Sequence, residues 1–206
     1  MIEFSKFVST ASDNDFAAKL SEYIVINNLA RYMAITAWLT DLDGILGPGQ
    51  NYYLYLHPKT QKFIFIPWDQ DQPFGQFPRG SQEQRENLSI QKPWTGENRF
   101  LKRVYESPAF QTAYLANLRE FNKTIFQPER LHRQVDELAA VLRAPIQDES
   151  KERHAEFDKG AAGQKLTVVM GPGFQGGTEV TPIKPFATAR AKSVADQIDG
   201  KSEGKQ

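Results

Sequence analysis

From Tyr23 to Leu39 the chain is apolar at almost every position, and only Asn27, Asn28, Arg31 and Thr36 interrupt it with clearly polar side chains. A helix apolar on nearly all sides has to be buried on nearly all sides. The segment therefore predicts a central core helix around which the other elements pack. The helical pattern reaches back to Asp13, giving one expected helix over 13–40. Asp13 or Asn14 suits its cap, and Phe16, Leu20, Tyr23 and Ile24 recur at amphipathic spacing. This helix runs straight into Asp41-Leu42-Asp43.

Two acidic clusters then flank a tyrosine-rich strand. After Asp41 and Asp43 comes a loop with three glycines and a proline, 44–50. Asn51 to His57 and Lys62 to Ile66 are aromatic and branched, and Pro58-Lys59-Thr60-Gln61 joins them, which predicts a β-hairpin. The second strand ends in Pro67-Trp68-Asp69-Gln70-Asp71, with Phe74-Gly75 close behind. An apolar strand that ends in carboxylates delivers hard oxygen ligands to a sheet edge. With an upstream Asp and Asn, that set suits Mg²⁺ and a phosphate.

The bulk composition excludes several classes. The 206 residues carry 25 basic and 25 acidic side chains, so no net field recruits nucleic acid or an anionic membrane. With no cysteine, disulfides, zinc–thiolate sites and cysteine nucleophiles are absent. No apolar run approaches the roughly 20 residues of a membrane span. The first residues lack a signal-peptide pattern, and the chain reads as soluble and globular.

Elsewhere, residues 77–94 read as a polar surface loop. Residues 99–126 read as helical with a break at Ser107-Pro108, and Pro128 opens a helix to about Leu142. A polar helix over 146–157, a glycine-rich turn over 171–177, a last helix over 185–198 and a frayed tail follow. The expected fold class is α+β, mainly helical with a small hairpin. One domain is expected over 1–200, holding segments 41–75, 98–158 and 165–199, with a disordered tail over 201–206.

Asn51-Tyr52-Tyr53-Leu54-Tyr55, Pro67-Trp68-Asp69-Gln70-Asp71 with Phe74-Gly75, and Asp43 before the glycine loop together resemble the CotH family of atypical protein kinases. The likeness continues through Asn98-Arg99-Phe100-Leu101 to Ile183-Lys184-Pro185-Phe186 and Arg190. It implies a kinase-like C-terminal lobe, with the N-terminal lobe and its phosphate-holding lysine lying before Met1. It also implies transfer of the γ-phosphate of ATP, with Mg²⁺ or Mn²⁺, to serine or threonine of a protein substrate in a secreted or cell-envelope setting. By the same resemblance, Asp43 orients the attacking hydroxyl, Asn51 and Asp69 hold the metal, and Asp71 holds a second metal or orients the first.

Each residue also has a plainer reading. Asp41 and Asp43 suit ordinary loop polarity, Asn51 a turn, and Asp69 and Asp71 a solvated strand end. Against the last stand Trp68 and Phe74, which would make the surroundings apolar. His57, His132 and His154 lie on separate elements without metal spacing. Arg79, Arg85 and Arg99 could meet a phosphate or an acidic substrate, with a surface ion pair the default reading for each. Tyr53 and Tyr55 share a strand face, where core packing is the default. Two other functions stay open. One is a non-catalytic interaction module. The other is a haloacid-dehalogenase-like phosphatase using Asp69 as nucleophile.

Overall fold

The long apolar segment folds as two helices, and a strand contact is what divides it. The computed structural model describes residues 1–168 and 177–206. Helix α1 spans Ile2–Thr10, α2 spans Asp13–Tyr23 and α3 spans Ile26–Leu39. Between α2 and α3, Ile24 forms an isolated bridge with Phe63, and the Val25 N–H donates to the Phe63 carbonyl at 3.1 Å. Two β-branched residues, Ile24 and Val25, take that extended path in place of another helical turn, before Ile26 opens α3. Ser12 caps α2, where Asp13 or Asn14 was expected: its hydroxyl accepts the Asp15 N–H. Helix α1 was not anticipated, although Phe4, Phe7 and Val8 have helical spacing and Phe4 is buried.

Helix α3 is the buried axis its composition demands. Leu29, Ala30, Tyr32, Met33, Ala34, Ala37 and Trp38 all lie in the core. Asn27 faces solvent, and the other three polar interruptions are each used. The Asn28 side chain accepts from Phe65 N at 2.7 Å and donates to Phe65 O at 3.3 Å, docking a strand edge onto the helix. Arg31 lies over the Phe121 ring, and the Thr36 hydroxyl donates back to Tyr32 O.

Strands β1 (Tyr52–Leu56) and β2 (Phe63–Pro67) pair antiparallel, with Tyr52 opposite Pro67 and Leu56 opposite Phe63. Phe63 and Phe65 point into the core, and Tyr52 stacks on Phe65. The alternating face carries Tyr53 and Tyr55, which are 53% and 47% exposed rather than packed.

The remaining elements close around α3. Residues 77–94 are not all loop. A short helix, α4 (Gln82–Glu86), is held by a Ser81–Gln84 capping box that is legible as Ser-x-x-Gln. Helices α5 (Arg99–Glu106) and α6 (Pro108–Lys123) break at Ser107-Pro108 as expected. Helix α7 (Pro128–Glu149) runs through Pro145, and α8 (Lys151–Ala161) starts at the Ser150 cap. The carbonyl that Pro145 leaves without a donor is that of Val141, on an exposed stretch where water can serve it. Strands β3 (Leu166–Val168) and β4 (Thr178–Val180) pair antiparallel ahead of α9 (Ile183–Ile198). The glycine-rich segment 171–177 lies outside the described residues, apart from Gly177.

Residues 201–206, expected to fray, are tied down. Lys205 N donates to Asn87 O, Ser89 N donates to Lys205 O, and Leu88 bridges Lys205. A side chain at Gly204 would strike Gln197 and Ser89, so a glycine lets this close pairing form.

The last four carbonyls of α3 have no partners within the helix. Each finds one from outside. Asp41 N reaches Thr36 O, Thr40 N reaches Ala37 O, and Gly75 N reaches Leu39 O. Arg190 of α9, fully buried, donates from Nη2 to Ala37 O at 2.9 Å and from Nε to Trp38 O at 3.1 Å. Its Nη1 reaches Leu88 O at 2.7 Å. Burial pulls this guanidinium down to about 10, which leaves it charged at neutral pH. Arg190→Met strips Trp38 O of the only donor it has among the described residues, so unfolding free energy should fall by roughly 2–4 kcal/mol. Urea denaturation measures this, and a loss below about 0.5 kcal/mol would contradict the assignment.

Candidate functional site

The capped end of α3 launches the site. Thr40 turns left-handed at φ 51°, its hydroxyl donating to Arg85 O, and sends the chain into Asp41-Leu42-Asp43. Asp43 is half-buried and meets Asn51 across the glycine loop. The Asn51 Nδ2 donates to Asp43 O at 2.9 Å and to Asp43 Oδ2 at 3.3 Å, and Gln50 Nε2 donates to Asp43 Oδ1 at 3.2 Å. With both donations made by Nδ2, the Asn51 Oδ1 stays available as a ligand oxygen. The loop is tight: a side chain at Gly47 would overlap the Leu42 carbonyl.

Asn51 also fixes where β2 ends. The Trp68 N–H donates to Asn51 O at 3.1 Å, so Asp69 leaves the ladder directly beside Asn51. Both residues are left-handed, Asn51 at φ 60° and Asp69 at φ 50°. Asn and Asp tolerate this conformation better than other residues with side chains. Phe74 at φ 59° joins Thr40 in a set of four such residues around the site, and strained backbone of this kind clusters where function over-determines it.

The structure thus brings Asp43 and Asn51 into contact and places Asp69 one residue past Trp68, whose N–H meets the Asn51 main chain. Asp71 lies near enough for its charge to act on Asp41. Asp69 and Asp71 do not share an extended face, because the left-handed turn at Asp69 ends the strand. Nor are their surroundings apolar: both are exposed, and Trp68 is 57% exposed. Of the three arginines, Arg85 is buried on Gly80 O and Glu179 O, and Arg99 donates to Ser9 O. Arg79 is exposed, with its guanidinium beside the turn at Gly47. The histidines serve local roles. His57 accepts from Thr60 N, His132 meets Lys184 O, and His154 faces Asp158.

Sequence reasoning passed over Asp41, Trp68 and Tyr53. Asp41 is 2% exposed. Burial pushes its carboxyl above the usual range; the Asp43 N–H and the Gln70 side chain oppose this, and the charges of Asp43 and Asp71 add to it. The available signal was its place one residue past a helix that is buried all round. Trp68 and Tyr53 meet edge-to-face at 5.3 Å on the exposed face of the hairpin, with Ile66 opposite Tyr53. This apolar shelf adjoins Asp69, and strand alternation was its signal.

The donor set is all hard oxygen, which fits Mg²⁺ or Mn²⁺. Among the described residues no three His, Asp or Glu side chains stand close enough to hold a metal alone. That also fits Mg²⁺, which binds through one or two carboxylates and completes its shell with water and phosphate oxygens. Among the described residues no helix is long and apolar enough to cross a membrane. The family model described as "CotH kinase protein" matches residues 1–194. No curated protein matches the chain.

Two glycines here separate space from strain. Gly49 and Gly75 both have positive φ, 79° and 64°. A Cβ at Gly49 meets nothing within 4 Å, whereas one at Gly75 would lie 2.6 Å from the Phe186 ring. Gly49→Ala should cost about 1 kcal/mol from backbone strain alone. Gly75→Ala should cost distinctly more, because the ring packs in the core. Thermal unfolding of the two variants checks the ordering, and equal losses would contradict it.

Proposed function

The chain belongs to the CotH kinase family, and from that premise we propose that it supplies the phosphoryl-transfer site of an ATP- and Mg²⁺-dependent protein serine/threonine kinase. The observation that carries this reading is the junction of Asp43, Asn51 and Asp69. Asn51 grips Asp43 with its side chain, and its main chain holds the residue before Asp69. In this reading Asp43 orients the substrate hydroxyl and accepts its proton as the oxygen attacks the γ-phosphorus and ADP leaves. Asn51 Oδ1 and the Asp69 carboxylate hold the metal, with Asp71 beside them. The chemistry a bound Mg²⁺ supplies is neutralisation of phosphate charge.

The exposed shelf of Tyr53, Ile66 and Trp68 supports a nucleobase seat, since an aromatic face beside the metal ligands suits a purine ring. It equally supports cover by a second lobe of the same polypeptide, which would bring a lysine to the α- and β-phosphates. In this reading residues 1–200 act as one kinase lobe, and the substrate is a protein presenting serine or threonine.

The phosphatase alternative loses its ground. It needs strands alternating with helices in a sheet, and β2 belongs to a two-stranded antiparallel hairpin. A non-catalytic binding module remains a second reading, favoured by the exposed apolar shelf of Tyr53, Ile66 and Trp68, which would suit a protein partner.

In the full-length polypeptide, Asp69→Asn should lower transfer from labelled ATP to protein by at least about a hundredfold. It should weaken Mg²⁺–ATP binding while changing stability by less than about 0.5 kcal/mol, because Asp69 is exposed. Unaltered transfer would remove Asp69 from the site. Failure of the unsubstituted protein to bind nucleotide would favour the binding module.

A further inference from the structure

Asp41 holds an uneconomical position. Its Oδ1 accepts the Asp43 N–H at 3.3 Å. Its Oδ2 is buried with no partner at hydrogen-bond distance among the described residues, and the Gln70 side chain near the carboxyl is the one polar group that favours its charged form besides the Asp43 N–H. The Tyr32 hydroxyl is buried and unpartnered in the same way, and the Asp41 charge acts on it. The carboxylate is also given room. A Cβ on Gly44, where φ places no demand for glycine, would stand 3.1 Å from Asp41 Oδ2. A buried, unpaired carboxylate oxygen destabilises a fold. Its presence two residues before the proposed catalytic base points away from a purely structural role.

We propose that Asp41 is a positioning residue for Asp43, acting through the hydrogen bond that its Oδ1 accepts from the Asp43 N–H. The proposal rests on the kinase reading of Asp43. Asn51 fixes Asp43 from one side, through its carbonyl and carboxylate, and Asp41 fixes it from the other, through its amide. With both in place, the Asp43 carboxylate has one direction to point, and a small misaim of a catalytic group is costly in rate. The bond needs the oxygen and not the charge, so an amide at position 41 should serve.

Three variants in the full-length polypeptide test this. Asp41→Ala should lower kcat for phosphoryl transfer ten- to a hundredfold with KM for ATP within threefold. Asp41→Asn should restore most of that kcat and raise Tm above the unsubstituted protein, since it removes an unpaired buried charge. Asp43→Asn reports on the kinase reading itself, and activity surviving there would sink that reading whatever Asp41 does. Hydrogen exchange at the Asp43 amide gives a readout independent of activity. Exchange should be slow in the unsubstituted protein and in Asp41→Asn, and fast in Asp41→Ala. The positioning role is overturned if Asp41→Ala leaves the amide protected, if it keeps full kcat while Asp43→Asn is inactive, or if Asp41→Asn is as impaired as Asp41→Ala.

Discussion

The C-terminus of α3 is the constraint on which the rest depends. Four carbonyls there would be orphaned in the core, and a buried polar group without a partner costs on the order of 1–3 kcal/mol. The chain meets the requirement with donors from two distant places and from the residues next to the helix end. Arg190 comes from α9, Gly75 from the segment after the second acidic cluster, and Thr40 and Asp41 from the exit turn itself. A guanidinium suits the position: it is a cation at the negative end of a helix, with several donors in a fixed fork. Because Arg190 also holds Leu88 O, the same side chain fastens the core helix to the segment after α4.

The site follows from that closure. Thr40 can turn left-handed because its neighbours are fixed, and the turn aims the next three residues at the hairpin. Asn51 then connects the two acidic clusters, by side chain to Asp43 and by main chain to Trp68. The carboxylates gather where little positive charge balances them. Asp41 records this as a carboxyl raised by burial first and by Asp43 and Asp71 next. Such a set is a poor cage on its own and a good partial shell for a cation that brings phosphate oxygens with it.

Much of this was legible in the sequence, for identifiable reasons. An all-round apolar helix leaves one packing solution, so the burial of α3 followed from composition. The hairpin followed from two β-rich runs around Pro58–Gln61, and the break before α6 from Ser107-Pro108. What escaped depended on distant partners. The split at Ile24–Val25 needs Phe63 as a neighbour, and the ordered tail needs Asn87 and Ser89. Tyr53 and Tyr55 looked like core because their type usually packs, yet the hairpin has only one covered face. In the site, the family pattern singled out Asp43, Asn51 and Asp69, and the structure joins the first two by hydrogen bonds. Burial separates Asp41 from an ordinary loop carboxylate, and burial is set by chain packed from elsewhere.

The account's central claim is that these oxygens form a partial metal shell completed by phosphate. The most direct measurement is ATP affinity of the full-length polypeptide by calorimetry, in Mg²⁺ and again in a chelator. The account predicts binding at least tenfold tighter with Mg²⁺, since metal and nucleotide each complete the other's site and their coupling is reciprocal. ATP binding that is unchanged in the chelator would contradict it.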